Sequence, residues 1–176
     1  SEKTAPIIWA ACNAQLALPE FGSRSLLDRM KVRAVGTTDD PADSLEHHIS
    51  CAASRQAGDL LMVPSFRPDK ALAVDDPQTW KAYLGKLSAA ANVAIGSFSE
   101  LVTALDVRHA AFHALGCRAS DHGIVAPFAV FVSAAELETI FAKVLRGDVP
   151  DSLESEAFKT GVMLAVGRMN AQRNWV

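Results

Sequence analysis

Apolar and polar positions follow two rhythms along this chain, one of helical spacing and one of short continuous runs. Residues 4–18 set Ile7, Ile8, Ala11 and Leu16 close to one helical stripe, which predicts a first helix closed by Pro19. Ser23 suits the N-cap of a short second helix holding Leu26, Leu27 and Met30. Val32-Arg33-Ala34-Val35-Gly36 then reads as a strand that runs out into Thr37-Thr38-Asp39-Asp40-Pro41. Asp40 ahead of Pro41 fits an N-cap with proline at the first helical position, predicting a helix through Leu45, His48 and Ile49.

The same order returns twice. Leu60-Leu61-Met62-Val63 is a candidate buried strand opening into Pro64-Ser65-Phe66-Arg67-Pro68-Asp69-Lys70. A helix around Trp80, Tyr83, Leu84 and Leu87 follows. Ser97-Phe98-Ser99-Glu100 is a capping box, heading a helix through Leu101, Leu105 and Phe112 that Gly116 is placed to end. Cys117-Arg118-Ala119 is a third, weaker strand candidate opening into Ser120-Asp121-His122-Gly123. A second capping box, Ser133 to Glu136, starts a helix through Leu137, Ile140, Phe141 and Leu145. Asp151 to Glu154 sets up the last helix, with Phe158, Val162, Ala165 and Met169 on one face. Asn174-Trp175-Val176 opens a fourth strand. The longest irregular stretch falls near Asp69–Gln78.

Strand, polar motif and helix in repeated order is the pattern of βα units on a parallel sheet. Such sheets carry their chemistry beyond the carboxyl ends of the strands, where all three polar motifs fall.

Composition narrows the class. The 176 residues are 49% hydrophobic and 21% charged with a net charge of −3, which fits one globular domain and excludes disorder and a basic nucleic-acid footprint. No apolar run reaches the roughly 18 residues of a membrane span, and Ser1-Glu2-Lys3-Thr4 lacks a signal-peptide layout. Cys12, Cys51 and Cys117 are too sparse for a disulfide scaffold or a thiolate zinc site and are expected to be reduced core thiols of a cytoplasmic protein. The start without Met and the stop inside an apolar stretch predict a piece of something longer.

The motifs suggest chemistry of different weight. Arg67, between Phe66 and Pro68, offers a planar fork for a carboxylate or phosphate, or is simply tied to Asp69 in a turn. Asp121 and His122 are both suited to proton transfer, but neighbours on a strand point to opposite faces. They share a site only if the chain turns, as Gly123 permits; otherwise Ser120 or Asp121 caps a segment and His122 packs. Capping alone accounts for Asp40, which leaves Thr37 and Asp39 to face a pocket. His109 and His113 have chelating spacing on a helix but lack the glutamate of the zinc-peptidase motif, so core or surface roles are favoured. His47 and His48 cannot face one site together. No phosphate-binding glycine loop or nucleophile elbow is present.

Taken together, Thr37–His48, Val63–Lys70 and Gly116–His122 resemble the uronate isomerase (glucuronate isomerase) family. Phe158-Lys159-Thr160 and Gly167–Val176 extend the likeness, which runs the whole length in order. The resemblance implies an α/β segment, residues 1–176, from the centre of a (β/α)8 TIM barrel of the amidohydrolase superfamily: three to four βα units with extra helices. It implies interconversion of D-glucuronate with D-fructuronate, and of D-galacturonate with D-tagaturonate. Arg67 and Asp39 would bind substrate, and Asp121 and His122 would be catalytic. It also implies a divalent metal, zinc foremost, on ligands this segment does not carry: the family's His-x-His pair is absent from these residues. The expected partners are a uronic acid and either the rest of the barrel or further copies, with no nucleic acid and no membrane. The segment alone is expected to be inactive. Two other readings are a metal-dependent hydrolase of the same superfamily and a non-catalytic fragment that binds sugar acids or a partner chain.

Overall fold

Why the second half of the chain packs is plain from its helix starts and its rings. In the computed structural model, which describes residues 2–56 and 58–176, four helices are named there: α4 (Pro77–Ala91), α5 (Phe98–Ala114), α6 (Ala134–Arg146) and α7 (Ser152–Arg173). Each begins at a side chain that satisfies backbone N–H groups the helix cannot bond itself. Asp76 accepts from Thr79 N, and Ser97 accepts from Glu100 N. Ser133 and Asp151 form complete capping boxes with Glu136 and Glu154. The predicted box at Ser97 is half made, because Glu100 Oε2 accepts instead from Gly96 N at 2.8 Å.

The apolar faces of these helices meet around aromatic rings. Trp80, Phe141, Phe158, Phe112 and Phe66 are fully buried. Trp80 meets Phe141 and Phe158 edge-on at 5.2 and 5.6 Å, in the geometry that ring quadrupoles favour. Its indole N–H is satisfied by Ala71 O at 2.9 Å, so the ring is buried at no polar cost.

The first half is thinner: α1 (Ala5–Leu16), α2 (Ser23–Arg29), β1 (Ala34–Gly36), α3 (Glu46–Ser54) and β2 (Leu61–Val63). Strands β1 and β2 pair in parallel, Ala34 opposite Leu61 and Gly36 opposite Val63. Pairing continues past both strand ends, with Asp39 opposite Phe66 and Phe66 opposite Ser120. Ser120 N then donates to Val176 O and Val176 N to Arg118 O. Four extended segments thus lie side by side in chain order, separated by helices. Only the first two are regular strands, so the chain is a mixed α/β structure with a two-stranded parallel sheet.

Several expectations need correcting. The third strand, at Cys117–Ala119, is a single bridge at Ser120 rather than a ladder, and of the fourth only Val176 pairs, Asn174 being the left-handed cap of α7. Asp40 caps no helix. Its Oδ1 accepts from Ala42 N in a local turn, and α3 starts later, after Leu45, which has φ 58°. Ser23 lies inside α2, whose N-cap is Gly22. The longest stretch without helix or strand is 115–133, because Asp69–Leu72 winds into a 3₁₀ turn and α4 follows at once. Of the three free thiols only Cys117 is buried, while Cys12 is exposed on α1. Among the described residues, no helix is long and apolar enough to cross a membrane.

Candidate active site

Parallel pairing brings the polar motifs to one end of the sheet. Arg67 N donates to Asp39 O at 2.9 Å, and Asp121 N donates to Phe66 O at 3.0 Å. Arg67 and Asp121 are therefore neighbours across two adjacent chain segments. Arg67 Nε lies 3.4 Å from Asp121 Oδ2 and 3.4 Å from Asp69 Oδ2, so two carboxylates face one edge of the guanidinium. Neither approach has the alignment of a hydrogen bond. With side chains 29–43% exposed, the attraction is Coulombic and screened, and it orients more than it stabilises. Nη1 and Nη2 make no hydrogen bond among the described residues. The forked end of the arginine stays open while its inner edge is held.

Asp69 is the hub of this cluster. Besides Arg67 it accepts from Gly123 N through Oδ2 at 2.7 Å, and its Oδ1 lies 3.6 Å from His122 Nδ1. A side chain on Gly123 would put its Cβ 3.1 Å from Asp69 Oδ2 and 3.2 Å from Arg67 Nη2, tighter than ordinary contact. Glycine lets the backbone turn against the ion pair, and that turn brings Asp121 and His122 to one site. Thr38 closes the other side, its Oγ1 donating to Asp121 Oδ2 at 3.4 Å. Gly116, at φ 95°, ends α5, and a Cβ there would lie 3.0 Å from Val63 Cγ1.

The side chain of Asp39 makes no hydrogen bond or ion pair with this cluster. Residues paired across a sheet share a face, and Asp39 pairs with Phe66, whose ring packs on His109 and Phe112 of α5. Its Oδ2 accepts from Thr37 Oγ1 at 2.6 Å and lies 3.7 Å from the buried His48, whose Nε2 is 2.8 Å from the same hydroxyl. His47 is exposed, so the two histidines do diverge. The loop between is tied down by Arg108, which donates to Pro41 O, Asp43 O and Ala90 O. Burial pulls the Arg108 pKa below its ordinary value, which the field of Asp43 partly offsets. His109 is a core side chain, stacked on Trp175 at 3.6 Å.

The residues present do not form a cation site. The guanidinium of Arg67 already fills the electrostatic gap between Asp69 and Asp121. Among the described residues no three His, Cys, Asp or Glu side chains stand together as metal donors. The tie between Arg67 and Asp69 that the sequence offered is present, whereas the contacts of Asp69 with Gly123 and His122, more than 50 residues along the chain, were not named from sequence. No contact of Thr38 or Asn170 was named from sequence, since their partners Asp121 and Ser120 are 50 or more residues away.

The family model for glucuronate isomerase matches residues 1–176. The chain is 46% identical over 174 residues to a uronate isomerase of Salmonella newport, covering 98% of this chain and 37% of that protein. It is 42% identical to one of Phocaeicola vulgatus, with 98% and 36% covered. A crystal structure of uronate isomerase from Thermotoga maritima superposes with a TM-score of 0.89 at 32% identity, covering 99% of this chain and 38% of that one. The chain spans a little over one third of the length of the relatives it matches.

Proposed function

The chain belongs to the glucuronate isomerase family, and from that premise we propose that the protein carrying it is a uronate isomerase. It interconverts D-glucuronate with D-fructuronate, and D-galacturonate with D-tagaturonate, with these residues supplying part of the active site. The four extended segments in chain order support a (β/α)8 barrel of the amidohydrolase kind, of which residues 1–176 form a central arc. A uronic acid is the substrate, and the remaining strands of the barrel are the necessary partner. A divalent metal, zinc foremost, belongs to ligands outside this segment.

The observation that carries the reading is Arg67, held along one edge and open at its fork. A uronate keeps a carboxylate at the end opposite the reacting carbons, and a bidentate guanidinium–carboxylate pair fixes both position and orientation. Isomerisation moves one hydrogen from C2 to C1 while the C1 carbonyl becomes a hydroxyl and the C2 hydroxyl a carbonyl. A group that accepts and returns protons is needed beside those atoms. Asp121 is suited to this, because its Oδ2 is engaged by Thr38 and Arg67 while Oδ1 makes no hydrogen bond among the described residues. In a cis-enediol route such a group takes the C2 hydrogen as a proton and returns it to C1. In a direct hydride shift that hydrogen passes between the carbons and only the hydroxyl proton has to move. Asp121 is assigned to the proton transfer in either. Both ring nitrogens of His122 face protein groups, so we assign it to positioning through Asp69 rather than to contact with substrate. Asp39 is assigned to holding Thr37 and His48.

Glucuronate isomerisation by the whole polypeptide tests this. Arg67→Met should raise KM and cut kcat/KM by about 100-fold, as losing charge-assisted hydrogen bonds worth roughly 1.5–3 kcal/mol requires. An unchanged KM would remove Arg67 from carboxylate binding. The 176-residue segment by itself should show no turnover with zinc added, since an arc of strands cannot close the site.

A further inference from the structure

Behind the candidate site runs a line of side chains that the chemistry above does not use. His109, fully buried on α5, has Nε2 2.9 Å from Asn170 Oδ1 on α7. Asn170 Nδ2 donates to Ser120 Oγ at 2.7 Å. Ser120 Oγ lies 3.2 Å from His122 Nε2, and His122 Nδ1 looks across 3.6 Å at Asp69 Oδ1. Those last two atoms are both shut off from solvent, and neither has a hydrogen-bond partner. The line ends on the carboxylate that faces Arg67.

Proton counting gives the line a direction. Burial lowers the His109 pKa, a tendency the Asn170 contact partly opposes, so the ring is neutral with one N–H. His109 Nδ1 has no acceptor, whereas Nε2 meets an amide oxygen, so the proton sits on Nε2 and is donated to Asn170. The Asn170 amide then points its NH₂ at Ser120 Oγ. A hydroxyl that accepts this bond has its own hydrogen free, and the nearby acceptor is His122 Nε2. With Nε2 accepting from Ser120, a singly protonated His122 ring carries its proton on Nδ1, the nitrogen facing Asp69. The opposite tautomer would set a bare nitrogen lone pair against a carboxylate oxygen in a site closed to water, which low dielectric penalises.

We propose that Ser120 and Asn170 are positioning residues that fix His122 in its Nδ1–H tautomer, so that the ring holds Asp69, and through it Arg67, in the orientation that receives the substrate carboxylate. The role of Arg67 in this statement rests on the function proposed above; the tautomer does not. The hydrogen bond made by one histidine nitrogen commonly decides which nitrogen carries the proton, and here the two residues that set it come from different parts of the chain.

The deciding experiment is ¹⁵N NMR of the whole polypeptide labelled in histidine, with glucuronate kinetics alongside. In the native protein His122 should read as the Nδ1–H form at neutral pH. Ser120→Ala removes the donor to Nε2 and should shift the ring toward Nε2–H. It should also raise the KM for glucuronate about tenfold, the scale of one lost hydrogen bond to a charged network, with kcat less affected. Ser120→Thr keeps the hydroxyl and should restore both readings. A native Nε2–H signature, or a tautomer that Ser120→Ala leaves unmoved, overturns the proposal. So does a Ser120→Thr variant that fails to restore the tautomer in a protein with native circular dichroism. Absence of isomerase activity in the native protein would overturn the functional reading alone, and the spectra would still decide the tautomer.

Discussion

Helices α1 and α7 show how much an apolar pattern leaves unsaid. Helix α1 carries Ile7, Ile8, Trp9 and Leu16, all 58–72% exposed, and none of its residues is buried. Helix α7 has a lower overall hydropathy but buries Ala157, Phe158, Val162, Ala165, Val166 and Met169 against α5 and α6. A stripe in the sequence states that a face needs cover. It does not state whether the cover lies within the same stretch of chain, and burial, not periodicity, is what contributes stability.

Mutation should separate the two helices sharply. Phe158→Ala empties space between Trp80 and Phe98 and should cost about 3–5 kcal/mol, read as a lowered urea midpoint in the whole polypeptide. A cost under about 1 kcal/mol there would erase the distinction. Ser133→Ala breaks the capping box of α6 and should cost about 1 kcal/mol in the same measurement.

The tie between α7 and the turn before α4 titrates. Partial burial would raise the Asp75 pKa, but hydrogen bonds from Lys159 and Ser155 outweigh that and hold it below its ordinary 3.8. A lowered folded pKa contributes stability that is fully present above the unfolded value and fades as pH falls through the folded one. The stability gap between the native protein and Asp75→Asn should therefore be flat near neutrality and close in acid below 3.8. A gap that does not narrow at all as the pH falls below 3.8 would mean the contact is not ionic. The smallest effect belongs to Trp9→Ala, expected within about 0.5 kcal/mol if α1 is as open in the whole polypeptide as it is in this segment. A larger loss would show that other residues of the protein cover this helix, which would sharpen the contrast rather than remove it.

Much of the scaffold was legible. Caps at Ser133 and Asp151, the stop at Gly116 and the buried faces of α4 to α7 are local matters, decided within a few residues of the chain. Where legibility failed, a non-local partner had taken over. Asp40 looked like a helix cap but is committed to a turn that Lys70 and Arg108 help hold. Residues 117–119 looked like a strand but are short of ladder partners on the Val176 side.

The site divides along the same line. The candidate residues Arg67 and Asp121, and the glycine that lets the chain turn, were named from residue type and from their place after apolar runs. What only the tertiary structure decided is who meets whom: Asp69 reaching His122 and Gly123, Thr38 reaching Asp121, and Asn170 reaching Ser120. Side-chain type is a local property of the chain, whereas hydrogen-bond and charge partnerships across 50 or more positions are fixed only when helices and strands pack.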